Sequence, residues 1–114
     1  MNKIFYLFIL FFSYNLNAQT QIEMNKSAYE DFKKADAELN RYYKKIIDVL
    51  DVNEKQLMVQ AQKDWLKFRD SHCNFEIEQY KGGSISPLIF STCLTERTNA
   101  RIQDFKTILQ DMNK

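Results

Sequence analysis

All the punctuation of this chain falls in one stretch. Between Trp65 and Cys93 lie both cysteines, both glycines and the only proline of 114 residues. Before Gly82 the residues Ala61, Trp65, Phe68 and Phe75 recur at helical spacing, and after Pro87 the residues Leu88, Ile89, Cys93 and Leu94 begin a second such series. The stretch therefore predicts a helix, a turn and a returning helix. Gly82 suits the left-handed position that closes a helix, and Ser86-Pro87 offers an N-cap followed by proline in the first turn. With the reversal there, Cys73 and Cys93 reach similar heights on an antiparallel pair at roughly 1.5 Å per residue. A disulfide bracing the helical hairpin is geometrically reasonable.

The start of the chain supplies a redox argument for the same bond. Met1-Asn2-Lys3 is followed by an apolar run from Ile4 to Phe12 and a more polar stretch ending at Ala18, the layout of a secretory signal peptide. The expected division is a signal peptide at 1–18 and one helical domain at 19–114. The apolar run is short for a membrane span, and no cysteine stands at the cleavage point to take a lipid, so no membrane anchor is expected after cleavage. A periplasmic or secreted address is expected, and a small exported domain pairs its cysteines.

Charge narrows the partners. Without residues 1–18 the chain keeps 15 basic and 15 acidic residues. It lacks the Lys/Arg-rich run on which nucleic-acid binding depends.

From Met24 to Leu50, apolar residues spaced by threes and fours (Ala28, Phe32, Ala35, Leu39, Tyr42, Ile46) predict one long amphipathic helix, and Gln19 to Glu23 reads as a frayed leader into it. Asp51-Val52-Asn53 breaks the pattern, with Asn53 a candidate N-cap. A second helix over about 54–80 and a third over about 87–112 follow, the third with Leu94, Thr98, Arg101 or Ile102, Phe105, Leu109 and Met112 facing inward. No strand-like alternation occurs. The expected fold is an all-α antiparallel three-helix bundle with Trp65 and Phe68 as core anchors.

Polar residues beside the apolar stripes are the informative ones: Asp36 and Asn40 on the first helix, Arg69 and Asp70 on the second, Arg101 on the third. A charge near a core is tolerated when paired, so Arg69 or Arg101 is expected to reach Asp36, and Asp70 to find a cation or a backbone group. An acid–base site built from Asp36, Asp70 and His72 is the catalytic alternative. Asp70 and His72, two apart, face different ways on a helix and no nucleophile accompanies them, which favours a structural role and a protein that is not an enzyme. His72 alone makes no metal site, and nothing in the chain calls for a cofactor. The turn residues Gly82, Gly83, Ser84, Ile85 and Ser86 have two readings: a simple reversal, or a braced protrusion that loses little entropy on entering a partner's cleft.

The segments A-D-A-E-L-N-R-Y-Y at 35–43, L-M-V-Q-A-Q-K-D-W-L-K-F-R-D-S-H-C at 57–73, G-G-S-I-S-P at 82–87 and C-L-T-E-R-T at 93–98 resemble the LprI-like family, small exported helical domains named for a lysozyme inhibitor. The resemblance covers nearly all of the chain after residue 18 and implies an all-helical domain whose partner is a protein, lysozyme or another peptidoglycan hydrolase. Members often carry a further cysteine pair near the start of the domain, where this chain has Ser27 after Met24-Asn25-Lys26, so the resemblance implies a missing second disulfide and a first helix held by packing. An inhibitor of a basic enzyme calls for acidic groups; Glu76, Glu78 and Glu96 flank the hairpin, diluted by Lys81 and Arg97. The alternative function is an envelope scaffold or accessory binding module without inhibitory activity. An acidic hairpin tip would favour the inhibitor, and an extended apolar patch on a helix face the scaffold.

Overall fold

The computed structural model describes residues 19–114 with their side chains and, for residues 2–18, the helix assignment alone. The expected leader, with cleavage after Ala18, lies outside the fully described residues. Three helices make the fold: α1 (Asn2–Ile47), α2 (Val52–Ile77) and α3 (Ser86–Met112), with a 3₁₀ turn over Glu78–Tyr80. The described residues contain no strand, so the all-α reading holds. None of the described helices is long and apolar enough to cross a membrane.

Short connections force antiparallel neighbours. At the first corner the N-cap of α2 is Asp51, not Asn53. Its carboxylate accepts from the Glu54 backbone N–H at 2.8 Å, and the Glu54 side chain accepts from the Asp51 N–H at 3.2 Å. A capping box takes Glu or Gln three residues after the cap, so Asn53 with Gln56 offered one as well; the helix instead starts two residues earlier, on Asp51 and Glu54. At the second corner α2 ends at Ile77, earlier than expected, and the 3₁₀ turn leads to Gly82 at φ +83, the left-handed region that glycine favours. Ser86 lies inside the first turn of α3 and gives no side-chain cap; Pro87 sits in that turn, where its missing N–H costs nothing.

Gln19 to Glu23 continues α1 rather than fraying. Gln21 Nε2 donates to Asn25 Oδ1 at 2.8 Å, and Asn25 Nδ2 donates to the Ser84 carbonyl at 3.1 Å, tying this part of α1 to the α2–α3 turn.

Helix α1 packs chiefly on α3, and α2 lies against α3 beside it. The core has two apolar layers. Near the first corner Leu39, Ile46, Ile102 and Phe105 are buried, with Tyr42, Met58 and Trp65 packed on them. At the hairpin end Cys73, Cys93 and Leu94 are buried beneath Phe32 and Phe90. The Cys73–Cys93 disulfide is present, with Cα atoms 5.7 Å apart.

That bond also fixes the rotation of α2, and here the expected stripe is wrong. At 100° per residue, Phe75 and Phe68 lie roughly 140–160° round the helix from Cys73. Phe68, expected as a core anchor, is 56 % exposed and Phe75 79 %, and Ala61 is exposed too. The inward line of α2 is Gln62, Trp65, Arg69 and Cys73 instead. Met112 of α3 is likewise exposed at the end of the bundle.

Two outcomes follow from this frame. Replacing both Cys73 and Cys93 by Ser opens a loop spanning 20 residues; urea unfolding should show a loss of about 3 kcal/mol with helicity retained at low denaturant. The Asp51 carboxyl is held below its ordinary value of 3.8, chiefly by the hydrogen bond from the Glu54 backbone N–H. A depressed carboxyl stabilises the fold above the unfolded value and loses that contribution as pH falls through the folded one. The melting-temperature advantage of wild type over Asp51→Ala should therefore be full near neutrality and shrink as pH is lowered below about 4.

Candidate functional site

Between the two apolar layers the three helices each contribute to a polar one. Arg69, buried on α2, donates from Nη1 to Asp36 Oδ1 on α1 and to Thr98 Oγ1 on α3, both at 3.4 Å, and from Nε to Asp70 Oδ1 at 3.0 Å. One guanidinium thus links all three helices. The planar fork of arginine can serve several acceptors at once where a lysine ammonium could not.

Rings close the layer above and below. The Arg69 guanidinium lies 5.0 Å from the Phe32 ring centroid and 5.4 Å from Trp65, and Arg101 lies 5.6 Å from Trp65 and 4.7 Å from Phe105. The result is a column, Phe32, Arg69, Trp65, Arg101, Phe105, in which cations alternate with π faces. Each such contact contributes about 0.5–2 kcal/mol as desolvation increases. Arg101 Nε also donates to Gln62 Oε1 at 3.1 Å, and its Nη1 lies 3.9 Å from Asp104 Oδ2. Burial pushes the Arg101 guanidinium below its ordinary value and Asp104 opposes the shift.

Of the polar residues singled out in the sequence, the structure brings together Asp36, Arg69 and Asp70, with Arg101 stacked across Trp65. Asn40 is exposed on α1 and takes no part. Sequence reasoning missed Gln62, which is buried opposite Arg101, and gave Thr98 an inward position without its hydrogen bond. The signal for Gln62 was its place seven residues before Arg69, on the same face of α2.

This layer is a fastening. Its arginines are spent on carboxylates, hydroxyl, amide and rings. His72 lies on its margin, with Nε2 2.8 Å from Glu76 Oε1, and Arg97 Nη2 is 3.6 Å from the same oxygen. Among the described residues, the grouping of metal-ligand types is His72, Glu76 and Cys93. Cys93 Sγ is committed to the disulfide, so two donors are left where a structural metal site takes four.

The surfaces that remain for a partner are at the hairpin end and along α2. The turn is held by Gly83 N–H donating to Tyr80 O at 3.0 Å, Ser86 N–H to Gly83 O at 3.2 Å, and the Asn25 link. Ile85 is partly exposed at its tip. Beside it an open groove of about 520 Å³ is walled by Phe75, Tyr80 and Ile89 and edged by Glu76 and Glu78.

A disulfide-braced bundle of three helices, with Arg69 and Arg101 turned inward as a fastening and a turn closing the hairpin at one end, defines a small all-helical domain. The chain belongs to the family described as lysozyme inhibitor LprI, whose family model matches residues 14–105. A relative 29 % identical over 106 residues, covering 82 % of this chain and 76 % of its own length, is described as an uncharacterized protein of Rhizobium meliloti (strain 1021). No solved structure matches.

Arg69→Ala should destabilise the domain by about 3 kcal/mol, by removing a buried cation from its acceptors and emptying the space between two rings. Arg69→Lys should recover less than half of this, since a point charge cannot stack and fork together. Asp70→Asn, at an exposed carboxylate, should cost less than about 1 kcal/mol. Urea midpoints at constant slope check all three.

Proposed function

We propose that this protein is an exported lysozyme inhibitor that blocks a muramidase by non-covalent binding. The observation that carries the reading is family membership across residues 14–105. The layout of residues 1–18 supports export to the periplasm or the medium.

The contact element we propose is the turn Gly82, Gly83, Ser84, Ile85 and Ser86. It is narrow, it is fastened to α1 by Asn25 and braced behind by the disulfide, so its entry into a cleft would lose little conformational freedom. The adjoining groove gives the enzyme's cleft edge an apolar surface to close on. The acidic groups around it are partly neutralised: Glu76 faces His72 and Arg97, and Glu78 lies 3.9 Å from Lys81.

One observation favours the scaffold alternative, the apolar face of α2 exposed along most of its length. That face is compatible with inhibition, because an inhibitor can hold its enzyme through a surface larger than the part that enters the cleft.

A turbidity assay of a C-type lysozyme on cell walls, with purified oxidised protein, tests the reading. Stoichiometric inhibition is expected, and Ile85→Asp with Ser86→Arg should abolish it while leaving the thermal unfolding transition in place. Absence of inhibition by wild type at micromolar excess would overturn the function; inhibition unchanged by the double variant would overturn the turn as its contact.

A further inference from the structure

The outer face of α2 has no internal partner. Leu57 is 67 % exposed, Phe68 56 % and Phe75 79 %, and with Ala61 they form one line about 27 Å long at 1.5 Å per residue. Isolated exposed apolar residues are ordinary, but three large ones on one face of a single helix, with only Ala61, Asp64, Ser71 and His72 between them, mark an interaction surface on a small domain. The line joins two hollows. One, of about 320 Å³, is lined by Leu50, Leu57, Met58 and Ala61 at the first corner; the other is the groove at Phe75, Tyr80 and Ile89.

The formal charges of α2 beside this line are acidic; His72 packs its ring 5.5 Å from Phe68 and is drawn to Glu76, and Lys81 pairs with Glu78 beyond the line. Within roughly 60° of Phe68 around the α2 axis stand Glu54 and Asp64, and no lysine or arginine of α2. Neither carboxylate has a cation within ion-pair distance. Asp64 accepts only from Gln60 Nε2 at 3.0 Å, and Glu54 is engaged in the capping box. Beyond Phe75 the negative charge is compensated, Glu78 by Lys81 and Glu76 by Arg97. The chain as a whole is nearly neutral, so on α2 unpaired carboxylates, those of Glu54 and Asp64, stand beside exposed apolar surface.

This combination selects an occupant. A second copy docked face to face would bring both sets of carboxylates onto one apolar seam without a counter-charge, and an anionic membrane surface would be repelled in the same way. A cationic protein surface has its charge matched by Glu54 and Asp64 and can bury Phe68 and Phe75. We infer that the outer face of α2, from Leu57 to Phe75, is a docking surface for a strongly basic protein. In taking a C-type lysozyme as first probe the inference rests on the proposed function; the surface chemistry itself requires only a basic partner.

The experiment uses the full oxidised domain, its Phe68→Ser, Phe75→Ser double variant, its Asp64→Lys variant and the Ile85→Asp, Ser86→Arg turn variant. Affinity is measured calorimetrically against three basic proteins, a C-type lysozyme, a ribonuclease and a cytochrome c, at low and moderate salt, and sedimentation follows the domain alone. Since Phe68 and Phe75 are exposed, the double variant should unfold at the wild-type temperature. It should bind lysozyme at least about tenfold more weakly, as expected for paired aromatic anchors, and Asp64→Lys should weaken binding most at low salt. Lysozyme affinity within about twofold of wild type in the double variant, with loss in the turn variant, would overturn the α2 surface and leave the inhibitor reading standing. Binding to another basic protein that depends on Phe68 and Phe75, without lysozyme binding, would uphold the surface and overturn the inhibitor reading. No binding to any of the three would overturn both. Self-association of wild type abolished by the double variant would assign the face to a second copy and overturn the basic partner.

Discussion

The fold depends on the placement of one guanidinium. Arg69 is the group through which α1, α2 and α3 are tied at a single level, by Asp36, its own neighbour Asp70, and Thr98. The desolvation of a cation among helices is unfavourable unless acceptors and π faces replace the lost water, and here both do. Phe32 and Trp65 cover its two faces while carboxylates and hydroxyl meet its edges. Because these requirements are directional, the layer specifies how far each helix is slid and turned relative to the others. Apolar packing alone tolerates sliding by a turn; an arginine with three acceptors on three helices does not.

The disulfide acts on the same degree of freedom from the hairpin end. Cys73 and Arg69 are one turn apart on α2, so the bond and the polar layer fix the same rotation. That shared constraint has a consequence on the opposite side. Once Arg69 and Cys73 face inward, Phe68 and Phe75 are turned outward, whatever their hydrophobicity. Two polar or sulfur-bearing positions thus outrank two phenylalanines in deciding which face of α2 is buried.

This is also where the sequence was legible and where it was not. Helix number, antiparallel order, the hairpin and the cysteine pair followed from apolar periodicity and from glycine and proline placement, which act locally. On α1 and α3 the apolar stripe is the buried face: Leu39, Ile46, Ile102 and Phe105 lie where spacing puts them. On α2 periodicity failed, because the strongest apolar series, Ala61, Phe68 and Phe75, belongs to the outer surface, and the inner one is mixed. The cysteine pairing already held the correction. A helix with a bridged cysteine cannot also bury a residue two positions on, which points the opposite way. The Arg69–Asp36 contact was legible as a need for a partner, whereas Gln62 was not, since an uncharged amide on a helix gives no electrostatic signal of burial. The corner caps failed for a smaller reason: Asp51 with Glu54 and Asn53 with Gln56 are both capable capping pairs, two residues apart.

The distribution of charge links this architecture to binding. A neutral chain can still present a signed surface if its cations are sequestered and its anions are not. Arg69 and Arg101 are drawn into the aromatic column, and Arg97 is turned toward Glu76. Arg69 and Arg101 are thus matched inside the bundle and Arg97 on its surface by Glu76, while Glu54 and Asp64 face outward on α2 without a cationic partner. The same inward turn of the arginines that fastens the helices therefore leaves a local negative field on the face that also exposes the phenylalanines. Fastening and recognition are in this sense two sides of one rotation of α2. A change that relaxed the polar layer would alter the docking face as well as the stability.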